Sequence, residues 1–116
     1  MDYKIINLDS IHQSMMGNDE MIKQLVELYI IQSPTDFNAL RDAVQAENKE
    51  QIHEKAHHIK PTMQYIGANS LMSEFETLEK MCKQDSTIKE IQEVFDKIQP
   101  RFMLMLDELE TLAKKY

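Results

Sequence analysis

A short stretch of the chain concentrates the residue types that could perform chemistry. Residues 54–61 read Glu-Lys-Ala-His-His-Ile-Lys-Pro, so two adjacent histidines, His57 and His58, are followed by a lysine. A neutral imidazole supplies a nucleophilic ring nitrogen near neutral pH. Lys60 would lie one helical turn after His57, where its ammonium group could offset the charge of an incoming anion. This combination is typical of phosphoryl transfer, which depends mostly on positioning and charge neutralisation.

The two histidines are not equivalent if this stretch is helical. Ala56 and Ile59 would belong to the buried face, and each residue advances about 100° around the helix axis. His57 then lies at the edge of the buried face, whereas His58 lies about 200° from Ala56 and faces solvent. Steps of three and four residues along the helix connect a polar row, here called the His57 ridge, that consists of His53, His57, Lys60 and Gln64.

The same stretch matches the zinc-protease motif H-E-x-x-H through His53, Glu54 and His57. A catalytic zinc needs a third protein ligand and a substrate cleft, and nothing in the sequence marks Glu74 or Glu76 as that ligand. We therefore expect no metal site and no cofactor in this chain. A second alternative is a non-catalytic helical adaptor, or an inactive scaffold, in which these histidines are solvated surface residues.

Apolar residues spaced three and four apart predict the helices that would position the His57 ridge. The most regular stripe consists of Ile88, Ile91, Phe95, Ile98, Phe102, Met105, Leu109 and Leu112. Further stripes are Leu71, Phe75, Leu78 and Cys82; Ile52, Ala56, Ile59, Met63 and Ile66; Ile22, Leu25, Tyr29 and Gln32; and Phe37, Leu40 and Val44. We expect caps at Asp9 or Ser10 for a short first helix and at Asp85 or Ser86 for the last one.

The connections between these segments are only a few residues long, which implies antiparallel neighbours. Ser33-Pro34 leaves open whether the second segment is one bent helix or two abutting ones. The sequence predicts an all-α fold: an antiparallel up-down four-helix bundle with a short extra N-terminal helix. Because the apolar stripes can all be buried within one bundle, we expect a monomer.

Composition narrows the class of protein. With 116 residues, of which 42% are hydrophobic, the chain fits a single domain, 1–116. The net charge of -7 argues against binding to nucleic acid, whose phosphates such a surface repels. A lone cysteine, the absence of a signal-peptide pattern and the absence of a membrane-spanning apolar run favour a cytoplasmic protein without a membrane segment.

The residues around His57 resemble the hallmark of histidine-containing phosphotransfer (HPt) domains of multistep two-component phosphorelays. That hallmark is an alanine, the phosphorylated histidine, any residue, an aliphatic residue and a lysine, with a glycine ten positions after the histidine. Here it reads Ala56, His57, His58, Ile59, Lys60 and Gly67. The order of predicted helices resembles this family over nearly the whole chain. Two positions depart from the pattern, with Pro61 where most members have glycine and Gln64 where a small residue is usual.

The resemblance implies that His57 accepts a phosphoryl group from a receiver-domain aspartate and passes it to another receiver domain. It implies a phosphocarrier with no kinase or phosphatase site of its own, and partners that are response-regulator receiver domains and a hybrid sensor histidine kinase. Any Mg²⁺ is then expected on the receiver. Pro61 would crowd the carbonyl group of His57, and Gln64 would either obstruct a docking receiver or hydrogen-bond the phosphoryl group.

Overall fold

A computed structural model describes residues 3–116, and within them the chain forms five helices and no strand. These are α1 (Leu8–Ser14), α2 (Asp19–Gln45), α3 (Lys49–Tyr65), α4 (Asn69–Lys83) and α5 (Ile88–Ala113). The helices α2 and α4 each pack against both α3 and α5, and α1 lies against α3. The predicted all-α class is confirmed, and no helix in the described part of the chain is long and apolar enough to cross a membrane.

Side-chain caps fix where the helices begin. Asn7, Asn18 and Asn48 each accept a hydrogen bond from a main-chain N–H three residues later and so begin α1, α2 and α3. Thr87 begins α5, where its side chain and that of Glu90 form a reciprocal capping box.

The cap predictions for the first and last helices were therefore wrong. Asn7 replaces Asp9 or Ser10 at α1, because its own N–H is already held by the Ile66 carbonyl at 2.9 Å and its backbone is extended. Thr87 replaces Asp85 or Ser86 because only Thr87 has a glutamate three residues later.

Helix α2 runs unbroken through Pro34, which settles the open choice between one helix and two. The buried side of its first half contains Ile22, as predicted, but continues to Val26, whereas the predicted Leu25 and Tyr29 are only half-buried and Gln32 is exposed. The prediction started a new stripe at the proline. A continuous helix instead carries the periodicity of the buried second half, which contains Phe37, back to Val26 and Ile22.

The core at the middle of the bundle is aromatic. Phe37 stacks on Phe95 and Phe102 with ring centroids 5.2 and 4.2 Å apart, and it meets Phe75 edge-on. The buried stripe predicted for α3 is confirmed, since Ile52, Ala56, Ile59, Met63 and Ile66 are all buried. This packing fixes the rotation of α3 about its axis and hence the direction of the His57 ridge.

Gly67 ends α3 and permits close contact with the N-terminal segment. Its φ of +70° belongs to the left-handed region, and the N–H groups of Gly67 and Ala68 bond the carbonyls of Gln64 and Met63. A Cβ atom on Gly67 would lie 2.6 Å from Cβ of Asn7. The predicted role of Gly67 as the residue that closes α3 is confirmed.

Candidate functional site

His57 projects from the outer surface of α3 toward α4. Its side chain is 69% exposed, while the neighbouring Ala56 is fully buried. The Nδ1 atom lies 3.1 Å from Oε2 of Glu79 on α4. An ionised carboxylate only accepts hydrogen bonds, so Nδ1 donates in this contact, and in a neutral imidazole the lone pair is then on Nε2. The ring therefore presents a nucleophilic nitrogen on its accessible side.

Lys60 reaches the same carboxylate from one turn further along α3. Its Nζ atom lies 2.7 Å from Oε1 of Glu79, and the two side chains are 22% and 11% exposed. Burial raises the pKa of Glu79, but hydrogen bonds and charge from Lys60 and His57 outweigh it and hold that pKa below its ordinary value. Glu79 is thus an ionised group that orients both members of the predicted pair.

Sequence reasoning missed Glu79. It lies 22 residues after His57, and only the packing of α3 against α4 brings the two together. A signal was present, because Glu79 is four residues after Phe75 and adjacent to Leu78, at the edge of a stripe of buried residues. A carboxylate in that position of a helix needs a polar partner on the facing helix.

His53 stands on the other side of His57 along the ridge. Its Nε2 atom is 3.7 Å from Oε2 of Glu79, and its ring is nearly parallel to that of His57. Glu79 is thus a carboxylate close to both histidines of the H-E-x-x-H match, whereas Glu74 pairs with Arg101. Over residues 3–116, no group of three histidine, cysteine or acidic residues has a geometry that could hold a metal ion.

His58 points toward α2, and its Nε2 atom is 3.7 Å from Oδ1 of Asp36. Its side chain is 68% exposed, so exposure does not distinguish it from His57. A groove of about 410 Å³ separates the two helices here, and its lining residues are Asp36, Ala39, Glu54, Lys55, His57 and His58. His57 therefore borders a groove on the α2 side and contacts Glu79 on the α4 side.

The remaining motif residues lie around this centre. Ile59 is buried beneath the ridge, while Pro61 and Gln64 are exposed on its outer surface. Pro61 does not end α3, which continues to Tyr65, but it removes the N–H that would bond the His57 carbonyl. Gly67 acts at the end of the helix rather than beside the imidazole.

Apolar side chains remain exposed on the neighbouring half of α2, contrary to the expectation that all stripes would be buried. Met21, Leu28 and Ile31 are 49%, 52% and 72% exposed, and Tyr65 at the end of α3 is 48% exposed. The stripe shift in α2 explains this surface, because Leu25 and Tyr29 form its inner edge instead of the core.

Comparison with known proteins points to one family and one fold. The Hpt domain family model matches residues 24–114. The chain is similar in fold to the crystal structure of histidine-containing phosphotransfer protein B (HptB) from Pseudomonas aeruginosa PAO1, with a TM-score of 0.85, 14% identity and coverage of 99% of each chain. Among curated proteins, none matches the chain by sequence. The chain belongs to the Hpt domain family and is a histidine phosphotransfer protein of phosphorelays.

Proposed function

We propose that His57 is the phosphorylated residue and that it relays a phosphoryl group between the aspartates of two receiver domains. The observation that carries this proposal is the contact between His57 Nδ1 and Glu79 Oε2 at 3.1 Å. It leaves Nε2 unprotonated on a side chain that is 69% exposed. The carboxylate beside His58 is Asp36, which is not the carboxylate that Lys60 pairs with.

The transfer step can be written from these atoms. The Nε2 lone pair attacks phosphorus of the partner's aspartyl phosphate, the N–P bond forms, and the P–O bond to the aspartate breaks with its electron pair on the leaving carboxylate. The imidazole becomes a cation that keeps its Nδ1 proton, and ionised Glu79 stabilises that charge. The reverse sequence, with a second receiver, delivers the phosphoryl group and restores neutral His57.

Lys60 supplies the positive charge that favours an anion at this site. Its ammonium group is one turn from His57 and already faces the shared carboxylate. In this proposal the chain brings a positioned nucleophile and charge, without a kinase or phosphatase site or a cofactor of its own. Mg²⁺, where the reaction needs it, is held by the receiver.

The partners in this proposal are response-regulator receiver domains and a hybrid sensor histidine kinase. The docking surface combines the groove between α2 and α3 with the exposed apolar residues of α2, so polar and apolar groups meet beside the nucleophile. Gln64 lies on the same outer surface. The net charge of -7 gives no support for a nucleic-acid partner.

The remaining proposals concern the state of the protein. We infer one domain over 1–116 that is a monomer in the cytoplasm, with α2 to α5 in antiparallel up-down order and α1 as the short extra helix. The connections after α2 and α3, each of three residues, and the connection of four residues after α4 support the antiparallel order. An inactive scaffold of this fold would retain the same bundle but would have no use for the ionised Glu79 beside an exposed imidazole.

Substitution of the two adjacent histidines tests the assignment. His57→Gln should abolish phosphoryl acceptance from a phosphorylated receiver, while His58→Gln, its matched control, should keep most of it. Acid-labile phosphoprotein is measured over time, and circular dichroism checks that both variants stay helical. Acceptance by His57→Gln at the normal rate would place the phosphoryl group elsewhere and favour the scaffold interpretation.

A further inference from the structure

The carboxylate of Glu79 has a third neighbour for which the proposed function gives no role. The Nε2 atom of His53 lies 3.7 Å from Oε2, the oxygen that also faces His57. The rings of His53 and His57 are 3° from parallel with centroids 6.4 Å apart, one turn from each other on α3. The side chain of His53 is 30% exposed, so protons from solvent reach it.

Once His57 is phosphorylated, two anions compete for Lys60: the carboxylate of Glu79 and the phosphoryl group. Its Nζ atom is now 2.7 Å from Oε1 of Glu79. A phosphoryl group on Nε2 of His57 adds about two negative charges and competes for the same ammonium group. If Lys60 turns to the phosphoryl group, Oε1 of Glu79 loses its cation, and only the imidazolium of phosphorylated His57, at Oε2, remains paired with this carboxylate. Glu79 is only 11% exposed, so the loss of one of its two ion pairs is unfavourable unless another cation replaces Lys60.

We propose that His53 is a positioning residue that replaces Lys60 at Glu79 in the phosphorylated protein. His53 takes one proton from solvent, binds Oε2 as an imidazolium, and thereby releases Lys60 to the phosphoryl group. No bond to phosphorus involves His53, and the proton returns to solvent when the phosphoryl group leaves and Lys60 pairs with Glu79 again. This inference rests on the proposed function of His57.

The surrounding charges favour this exchange. Glu79 and Cys82 face this cluster from α4, and Lys49, His57 and Lys60 lie beside it on α3, where Glu50 and Glu54 also flank His53. The helix α2 places its carboxylate, Asp36, beside His58 on the other side of α3. Departure of Lys60 removes one positive charge near His53, the imidazolium of phosphorylated His57 restores one, and the phosphoryl group adds about two negative charges, so the net change favours protonation of His53.

The first experiment imitates the departure of Lys60 without any phosphoryl donor. In Lys60→Met at about pH 7, the ring-nitrogen resonances of His53, read by long-range proton–nitrogen correlation, should move toward those of imidazolium. Lys55→Met is the matched control, because Lys55 is on the same helix but lines the groove on the α2 side. Unmoved His53 resonances, or equal movement in both variants, would overturn the exchange whether or not His57 accepts phosphoryl groups.

The second experiment uses the phosphorylated protein and needs no Lys60 variant. His53→Lys keeps a cation at every pH, and His53→Gln keeps a side chain of similar length without the charge. The phosphorylated fraction of wild type relative to His53→Lys should be near one at about pH 6. At about pH 8 it should be about two- to fivefold lower, the range expected when a partly buried ion pair is lost. His53→Gln should be low at both.

The ratio to His53→Lys cancels every contribution that His57 makes in both proteins. A ratio that does not change with pH, or His53→Gln that matches wild type throughout, would overturn the role of His53. Absence of phosphorylation in wild type would instead overturn the proposed function, and the nitrogen resonances would still decide how His53 responds to the loss of Lys60.

Discussion

The adjacent histidines His57 and His58 face opposite sides of α3, and the two imidazoles differ in their partners rather than in their exposure. His57 and His58 are 69% and 68% exposed. On the α4 side, Glu79 lies 3.1 Å from His57 and is paired with Lys60. On the α2 side, Asp36 lies 3.7 Å from His58. The comparison indicates that a carboxylate paired with lysine, rather than solvent access, distinguishes His57, the nucleophile that we propose.

Removal of the carboxylate on each side of α3 should give the largest difference in the rate of phosphoryl acceptance. Glu79→Ala should slow phosphoryl acceptance about tenfold or more, because a charge-assisted hydrogen bond of about 1.5 to 3 kcal/mol no longer orients and stabilises the imidazole. Asp36→Ala, its counterpart on the α2 side, should slow acceptance less, because Asp36 lines the groove but lies beside His58 instead of the proposed nucleophile. Single-turnover rates with one phosphorylated receiver measure both, and equal losses would contradict the assignment of the two sides.

The pH dependence of stability gives an independent check on Glu79. Its pKa in the folded protein is lower than the ordinary 4.5, so its ion pairs stabilise the fold above that pH. This contribution is lost as the pH falls through the lowered value. The difference in unfolding free energy between wild type and Glu79→Gln should therefore shrink in acid, and a difference that grows in acid would show that the carboxylate is not stabilised as an ion.

The sequence predicts the α3 residues of this site well, but it does not predict Glu79 of α4. His57, Lys60 and Gln64 share one helix, so spacing of three and four residues is enough to align them. Glu79 belongs to another helix, and its distance from His57 depends on how α3 and α4 pack and rotate, which periodicity does not determine. The same limit explains the first half of α2, where neighbouring apolar residues satisfy two possible stripes and only the packed core selects Val26 over Leu25.

Gly67→Ala should lower the stability of the fold without changing the contacts of His57 or His58 on either side of α3. The left-handed φ and the 2.6 Å approach to Asn7 make an added Cβ unfavourable, and a loss of about 1 to 3 kcal/mol in unfolding free energy is expected. Gly17 also has a positive φ, but no atom lies within 4 Å of its added Cβ. Gly17→Ala is therefore the matched control for φ alone and should lose less stability in denaturant titrations.

Transfer by the folded fraction of Gly67→Ala should remain close to wild type, because Gly67 contacts α1 rather than His57. A rate per folded molecule that falls as far as in Glu79→Ala would mean that the end of α3 contributes to the chemistry. The C-terminal end of α3 would then affect phosphoryl transfer as well as stability.

The smallest expected effect concerns Gln64, which extends the His57 ridge one turn beyond Lys60. Its side chain is exposed, so Gln64→Ala should leave the unfolding free energy within about 0.5 kcal/mol of wild type. Transfer should change by about two- to fivefold, upward if the amide obstructs a docking receiver and downward if it bonds the phosphoryl group. Gln51→Ala, at an exposed glutamine in the first turn of the same helix, is the matched control and should transfer normally.

Because the size of a docking contact depends on the partner, rates should be compared across several receivers. A rate that equals wild type with every receiver would place Gln64 outside the contact surface and confine the difference between the two sides of α3 to His57, Lys60 and Glu79.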